Sequence, residues 1–380
     1  MTSTTPDVEA FRPVWAEVDL AAVRANVRTL RDLVAPAMLC AVVKADAYGH
    51  GAAPVSRAAV EAGADWLAVA LVEEGVQLRG CGIDAPVLVL SEPVPAAAET
   101  VVAHRLTPVV YTENGIDALA KAASGADGDG PLAVHLKVDT GMHRVGCDPA
   151  AAVALASHIA DHTELRLAGV CTHFAVADEP GNDYTAAQQR TFDGVLAELR
   201  AHGIDPGIVH ACNTAGALAA PGARYDMVRA GIGIYGIAPA PALDAHVALA
   251  PALAVKARVS HVQSLAAGAR VSYGLRYETA ARTRLVTVPI GYADGVPREL
   301  SHNGGAVLIR GRRFPIAGTV TMDQLMVDVG DEPVEIGEEV VLIGRQGAAE
   351  ITAAEWAERM GTIAYTIVCG VGPRVPRRYV

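Results

Sequence analysis

Residues 39–72 read LCAVVKADAYGHGAAPVSRAAVEAGADWLAVALV. An apolar run, 39–45, is followed by a helix-like stretch, 54–63, and then by a second apolar run, 66–72. Gly63 stands where a helix commonly ends on a left-handed residue. Two nearly continuous apolar strands joined by a helix are the unit of a parallel sheet, whose strands are buried on both faces. The unit repeats. Further runs at 86–91, 106–112, 132–139, 165–174, 208–213 and 225–231 bring the number to eight. Eight runs in about 200 residues predict an α/β fold built on an N-terminal (β/α)8 TIM-type barrel. An open doubly wound sheet is the alternative. It would carry a glycine-rich fingerprint after its first strand, and residues 44–51 are not one.

The pattern changes near residue 240, where Pro239, Pro241 and Pro251 punctuate the chain. Strand-like runs at 253–265, 284–291, 306–310, 325–329 and 340–344 follow, and only 352–360 looks helical. The expected division is a barrel over 1–240 and a mostly β domain over 241–380.

Composition narrows the function. No stretch of the 380 residues reaches the roughly 18 consecutive apolar residues of a membrane span. The first thirteen residues include Asp7 and Glu9 and no apolar run, unlike a signal peptide, so a cytoplasmic protein is expected. A net charge of −11 argues against a nucleic-acid partner, since phosphate backbones are held by a basic field. The six cysteines are scattered without a CxxC pair, as expected of small buried hydrophobes in a reducing compartment. No His/Cys/Asp cluster shows metal-ligand spacing, so no metal is expected.

Function in such a barrel gathers at the C-terminal strand ends. Only four lysines occur, Lys44, Lys121, Lys137 and Lys256, and two of them end apolar runs. Lys44 closes the first run. In the fifth, His135, Lys137 and Asp139 share a face opposite Val134, Leu136 and Val138, by the two-residue period of a strand. His173 lies next to the end of the sixth run, Asn213 ends the seventh with Thr214 following it, and Arg229 lies in the eighth. Each residue alone has an ordinary structural explanation, but five on one rim suggest a site. Loops after strands seven and eight often bind phosphate. Here they hold Thr214 and the glycines 231 and 233, which let backbone N–H groups approach an anion. A lysine beside a phosphate site, with Lys137, Arg144 and Arg229 lowering its pKa, suggests a nucleophilic amine that holds a phosphorylated carbonyl compound.

At these residues the chain resembles the alanine racemase family over essentially its whole length. The matching segments are 41–51 around Lys44, 135–144, 172–175, 227–231, 271–274, 289–295, 321–324 and 374–377. The resemblance implies an enzyme, a racemase that interconverts L-alanine and D-alanine on pyridoxal 5'-phosphate and supplies D-alanine for peptidoglycan. It implies Lys44 as the cofactor lysine and one of two catalytic bases. Tyr273 is the second, delivered from the partner subunit of a homodimer. It places Arg229 at the pyridine nitrogen, with His173 orienting Arg229 or Tyr273 through hydrogen bonds. Tyr48, Asn213, Thr214, Gly231, Ile232 and Tyr365 fall around the cofactor, most of them at the phosphate. Arg144, Met322 and Asp323 fall at the substrate, Tyr292 at its entrance, and Lys137 matches a lysine that is often carbamylated. Departures from the family pattern are Asp46, His143, Thr321 and a longer 369–374 tail. The competing readings are a broad-specificity or serine racemase, a decarboxylase of the same architecture, and a non-catalytic pyridoxal phosphate carrier. Arg229 disfavours the decarboxylase, which generally uses a carboxylate at the pyridine nitrogen. Tyr273 disfavours the carrier, which needs no second base.

Overall fold

The computed structural model describes residues 11–125 and 130–380. The chain forms two compact units: Leu20–Ala250, and the N-terminal segment through Asp19 together with Pro251–Val380.

The first strand, β1 (Val14–Val18), belongs to the second unit. The first unit holds eight parallel strands: β2 (Met38–Val42), β3 (Trp66–Val69), β4 (Val87–Val89), β5 (Thr107–Val110), β6 (Leu132–Lys137), β7 (Leu165–Cys171), β8 (Ile208–His210) and β9 (Met227–Ala230). From β2 to β7 each pairs with its successor, and β9 returns beside β2, with Met227 opposite Met38. Between β8 and β9 the Asp226 N–H donates to Val209 O and the Arg229 N–H to Cys212 O, both at 3.0 Å, closing the ring. All eight apolar runs thus become barrel strands. The strands stop short of the runs' C-terminal ends because those residues turn out of the sheet into the loops that carry the polar groups.

The helices cover the strands by burying one stripe. In α1 (Leu20–Val34), Val23, Val27, Leu30 and Val34 are buried at helical spacing, and each such side chain contributes about 1.5–3 kcal/mol. Helix α2 (Glu113–Ser124) starts where the Thr112 hydroxyl accepts the Gly115 N–H, and buries Ile116, Leu119 and Ala120. The next helices are α3 (Ala152–Asp161) and α4 (Tyr184–Ala201). The fold brings Asp117 of α2 against His158 of α3 and His162 at its C-cap. This corrects the expectation that no such group clusters at metal-ligand spacing, because the two histidines are joined by a residue 41 and 45 positions earlier in the chain.

The domain boundary differs from the sequence reading at both ends. Strand β1 pairs antiparallel with Leu253–Arg258 and parallel with Arg377–Tyr379, which places it in the β unit. Residues 241–250 stay with the barrel: Leu243 is fully buried, and the Asn26 side chain bonds both the N–H and the C=O of Ala250 at 2.8 Å.

The β unit has a main sheet ordered Arg312–Pro315, Ala306–Ile309, Glu339–Gln346, Leu253–Arg258, β1, Arg377–Tyr379. A second sheet joins His261–Leu265, Thr283–Val288 and Leu325–Gly330, and a ribbon pairs Arg270–Val271 with Tyr277–Glu278. The expected helix over 352–360 is present as Ala353–Met360. A second helix, Ala364–Cys369, was not legible because its short apolar run has no period of its own. No described helix is long and apolar enough to cross a membrane.

Candidate active site

The turn that follows β2 sets the position of Lys44. From Ala45 to Tyr48, four successive residues have φ of 52–53°. This left-handed turn costs L-residues roughly 1–2 kcal/mol each. Ala45, Asp46 and Ala47 have small side chains, and the turn is held from several sides. The N–H groups of Ala47 and Gly49 donate to Val43 O and Ala45 O at 2.9 and 3.0 Å. Asp46 Oδ1 accepts the Ala52 N–H at 2.7 Å, which explains an aspartate there. Glu74 is the brace: Oε1 accepts the Ala45 N–H at 2.6 Å, and Oε2 accepts those of Ala70 and Leu71 at 2.8 and 3.1 Å. The Tyr235 hydroxyl donates to Val42 O at 2.8 Å.

The strand ends enclose a cavity of about 290 Å³ whose lining includes Lys44, Tyr48, Lys137, Arg144, His173, Arg229 and Gly231. Four of the lining residues are cationic and none carries a carboxylate. Burial, with Arg229, Arg144 and Lys44 nearby, pushes the Lys137 amine below its ordinary range. Burial and the same cations hold His173 well below the usual imidazole range.

Arg229 is 5% exposed and is held entirely by neutral acceptors. Nη2 donates to Thr172 O and Ala211 O, both at 2.8 Å, and to His173 Nδ1 at 3.1 Å, while Nη1 donates to His210 Nδ1 at 2.6 Å. Arginine is donor-only, so His210 must accept at Nδ1 and carry its proton on Nε2. That proton points at His135 Nδ1, 2.8 Å away. His135 therefore carries its proton on Nε2, which is buried with no partner among the described residues. Both rings are neutral: burial, then Arg229, takes His135 down to about 3 and His210 well below its usual range.

At the phosphate-like end, Asn213 and Thr214 take different parts. Asn213 Oδ1 accepts the Gly216 N–H at 2.9 Å and caps the helix Thr214–Ala219. The Thr214 hydroxyl oxygen is 3.0 Å from the Gly231 N and 3.4 Å from the Gly233 N. A Cβ on Gly231 would lie 2.6 Å from the Tyr48 hydroxyl oxygen, so glycine there keeps a cradle open. Ile232 buries its side chain completely and can offer this cradle only its backbone.

The loop after β6 folds back through Asp139, whose Oδ1 accepts the Gly141 and His143 N–H groups at 3.0 Å. His143 has φ 54°, in the left-handed region that favours glycine. The loop presents Arg144. Gln188 anchors the neighbouring one, accepting the Ala175 N–H and donating to His173 O.

The remaining candidates lie on the β unit. Tyr273 sits in the loop of the short ribbon and is 70% exposed. The Thr319 hydroxyl donates to Tyr273 O at 2.8 Å while the Ser272 hydroxyl donates to Thr319 O at 2.6 Å. Tyr292 and Met322, also exposed, are joined through backbone bonds from Tyr292 N–H to Thr321 O and from Ala293 N–H to Met322 O. Thr321 closes this turn onto Gln324. Asp323 pairs with Arg374 at 2.7 Å, and Tyr365 lies in Ala364–Cys369. The sequence reading missed His210, Thr172, Gln188, Glu74 and Tyr235, and gave His135 no role. His210, a polar residue inside the apolar run 208–213, carried a visible signal. Glu74 carried none, since its partners are backbone amides.

Seven sequence-nominated residues therefore line one cavity. Family models described as the alanine racemase N-terminal domain and C-terminal domain match residues 18–239 and 252–379. An alanine racemase of Symbiobacterium thermophilum is 53% identical over 98% of both chains. The solved alanine racemase of Streptomyces coelicolor is 41% identical, covering 98% of this chain and 100% of its own, with a TM-score of 0.93. A solved histidine racemase from Leuconostoc mesenteroides is 31% identical with a TM-score of 0.89, covering 97% of this chain and 98% of its own.

Proposed function

This chain belongs to the alanine racemase family, and on that premise we propose that it interconverts L-alanine and D-alanine with pyridoxal 5'-phosphate held in the barrel cavity. The observation that carries the reading is the convergence of Lys44, Lys137, Arg144 and Arg229 on one cavity without a lining carboxylate, in a chain of net charge −11. Such a cavity selects an anionic ligand, and the open backbone at Gly231 suits a phosphate. The residues fit the cofactor. Lys44 would hold its aldehyde carbon, Arg229 its ring nitrogen, and Tyr48, Thr214 and the Gly231–Ile232 backbone its phosphate. When bound, pyridoxal phosphate supplies the electron sink that acidifies the substrate's Cα–H.

Racemisation removes a proton from one face of Cα and returns one to the other, which takes two bases. Lys44, fixed by its left-handed turn, serves one face through Nζ. Tyr273 serves the other from a second copy of the chain, making the enzyme a homodimer. Its 70% exposure, beside the exposed Tyr292 and Met322, supports that role. Arg144 binds the substrate carboxylate, and Arg229, which keeps its proton, limits side reactions by leaving the ring nitrogen unprotonated. Lys137, an amine crowded by cations, is suited to add CO2, giving a carbamate and releasing one proton. The carbamate would supply the missing negative charge and orient Arg144, and intact-mass analysis in non-acidic buffer reads the added CO2. The six free thiols fit a reducing cytoplasm, where the D-alanine would enter peptidoglycan synthesis.

The histidine racemase relative favours a second reading, a broader substrate range on the same scaffold. Chiral chromatography of protein incubated with L-alanine decides between them. D-alanine formed by the parent and not by Lys44→Ala is expected. Turnover of other amino acids without alanine by a cofactor-loaded protein would overturn the assignment.

A further inference from the structure

We propose that Asp117, His158 and His162 form a binding site for a divalent transition-metal ion of the Zn2+ class on the helical exterior of the barrel. The two histidines lie four residues apart at the C-terminal end of α3, so they share one helix face. Asp117 reaches them from α2. His158 Nε2 is 2.7 Å and His162 Nε2 3.2 Å from the same oxygen, Asp117 Oδ1. The imidazole planes stand at 79° with centroids 5.0 Å apart, so the rings meet edge to face while their nitrogens converge.

The three ligand atoms lie within 4.8 Å of one another. Zinc takes imidazole nitrogen and carboxylate oxygen at about 2.0–2.2 Å in tetrahedral geometry, which small side-chain rotations would meet here. Two neutral imidazoles and one carboxylate form a donor set that suits zinc-class ions better than Mg2+ or Ca2+, which take oxygen. Side-chain exposures of 57% for Asp117, 32% for His158 and 29% for His162 leave room for a water as fourth ligand. On binding, the ion takes the place of the two Nε2 protons, each imidazole moving its proton to Nδ1, with no redox change. Residues of α2 and α3 are thereby joined through one ion.

Titration of the full-length holoenzyme with Co2+, followed by visible absorption, and with Zn2+, followed by equilibrium dialysis and elemental analysis, tests the site. The parent should bind one more ion per chain than the His158→Gln/His162→Gln double variant. Glutamine retains a donor to Asp117, so loss of binding in a folded variant reports ligation. Asp117→Asn and each single histidine variant should weaken binding about tenfold or more, with alanine racemisation unchanged. Equal stoichiometry and affinity in parent and double variant would overturn the proposal. So would binding abolished by replacing the exposed Cys81 and Cys369 but not by replacing the histidines.

Discussion

Arg229 Nη1 lies 2.6 Å from His210 Nδ1, and that contact fixes the tautomer of the imidazole. The guanidinium can only donate, so the imidazole must present a bare nitrogen. His210 passes the constraint to His135, and a fixed positive charge comes to rest against two neutral rings.

The first prediction concerns that charge. Arg229→Glu removes a donor held at four acceptors and introduces a carboxylate able to share a proton. Racemisation should fall at least about a hundredfold, and transamination per racemisation turnover should rise. Simultaneous assay of D-alanine and pyruvate checks it; unchanged partitioning would show that Arg229 does not govern side reactions.

The neutral histidines should also shape stability against pH. The folded-state pKa of His135 is about 3 against an ordinary 6.5. Between these values the unfolded chain binds the extra proton, so stability is full above about pH 6.5 and declines as pH falls toward 3. Each such histidine contributes a slope of about 1.4 kcal/mol per pH unit where it titrates fully. Urea midpoints from pH 7 to 4.5 should fall more steeply for the parent than for His135→Gln.

Tyr273→Phe removes one hydroxyl from an exposed side chain, so the fold should be unaffected. Racemisation should drop by about 10²–10⁴-fold in both directions, with exchange of the alanine Cα proton in D2O persisting on the face served by Lys44. Nuclear magnetic resonance of recovered alanine reads both.

Glu74→Gln places an N–H group against backbone N–H donors in the brace of the Lys44 turn. An unmatched donor costs about 1–3 kcal/mol. Thermal stability should fall, and kcat should fall by roughly ten- to a hundredfold if Lys44 is displaced. Circular dichroism melts and steady-state kinetics on one preparation separate the two effects.

Gly231→Ala drives a methyl group to 2.6 Å from the Tyr48 hydroxyl oxygen. Relief of about 1–3 kcal/mol of crowding corresponds to roughly ten- to a hundredfold weaker cofactor binding. Cofactor retention after dialysis measures it.

The barrel was legible because its strands are apolar on both faces and recur from residue 39 to residue 231. Lys44, Lys137, His173 and Arg229 were legible because charged or polar groups at the ends of such runs have little packing reason to be there. Glu74 was not, since its role depends on amides 29 residues away at Ala45 and nearby at Ala70 and Leu71. The cluster of Asp117 with His158 and His162 was likewise hidden by sequence separation. Strand β1 was missed because five residues with Glu17 among them declare no partner; its register with residues 253–257 and 377–379 exists only after the chain has closed.

That closure has a consequence for synthesis. The β unit starts with β1 and finishes with Arg377–Tyr379, its parallel neighbour, while the 231 residues of Leu20–Ala250 leave and return between Asp19 and Ala252, which are joined by a 2.9 Å bond from N–H to C=O. On a ribosome the barrel has all its strands long before the sheet that brackets it has its last one. The barrel can therefore mature as an inserted module, while β1 must wait, unpaired at one edge, until the terminus emerges.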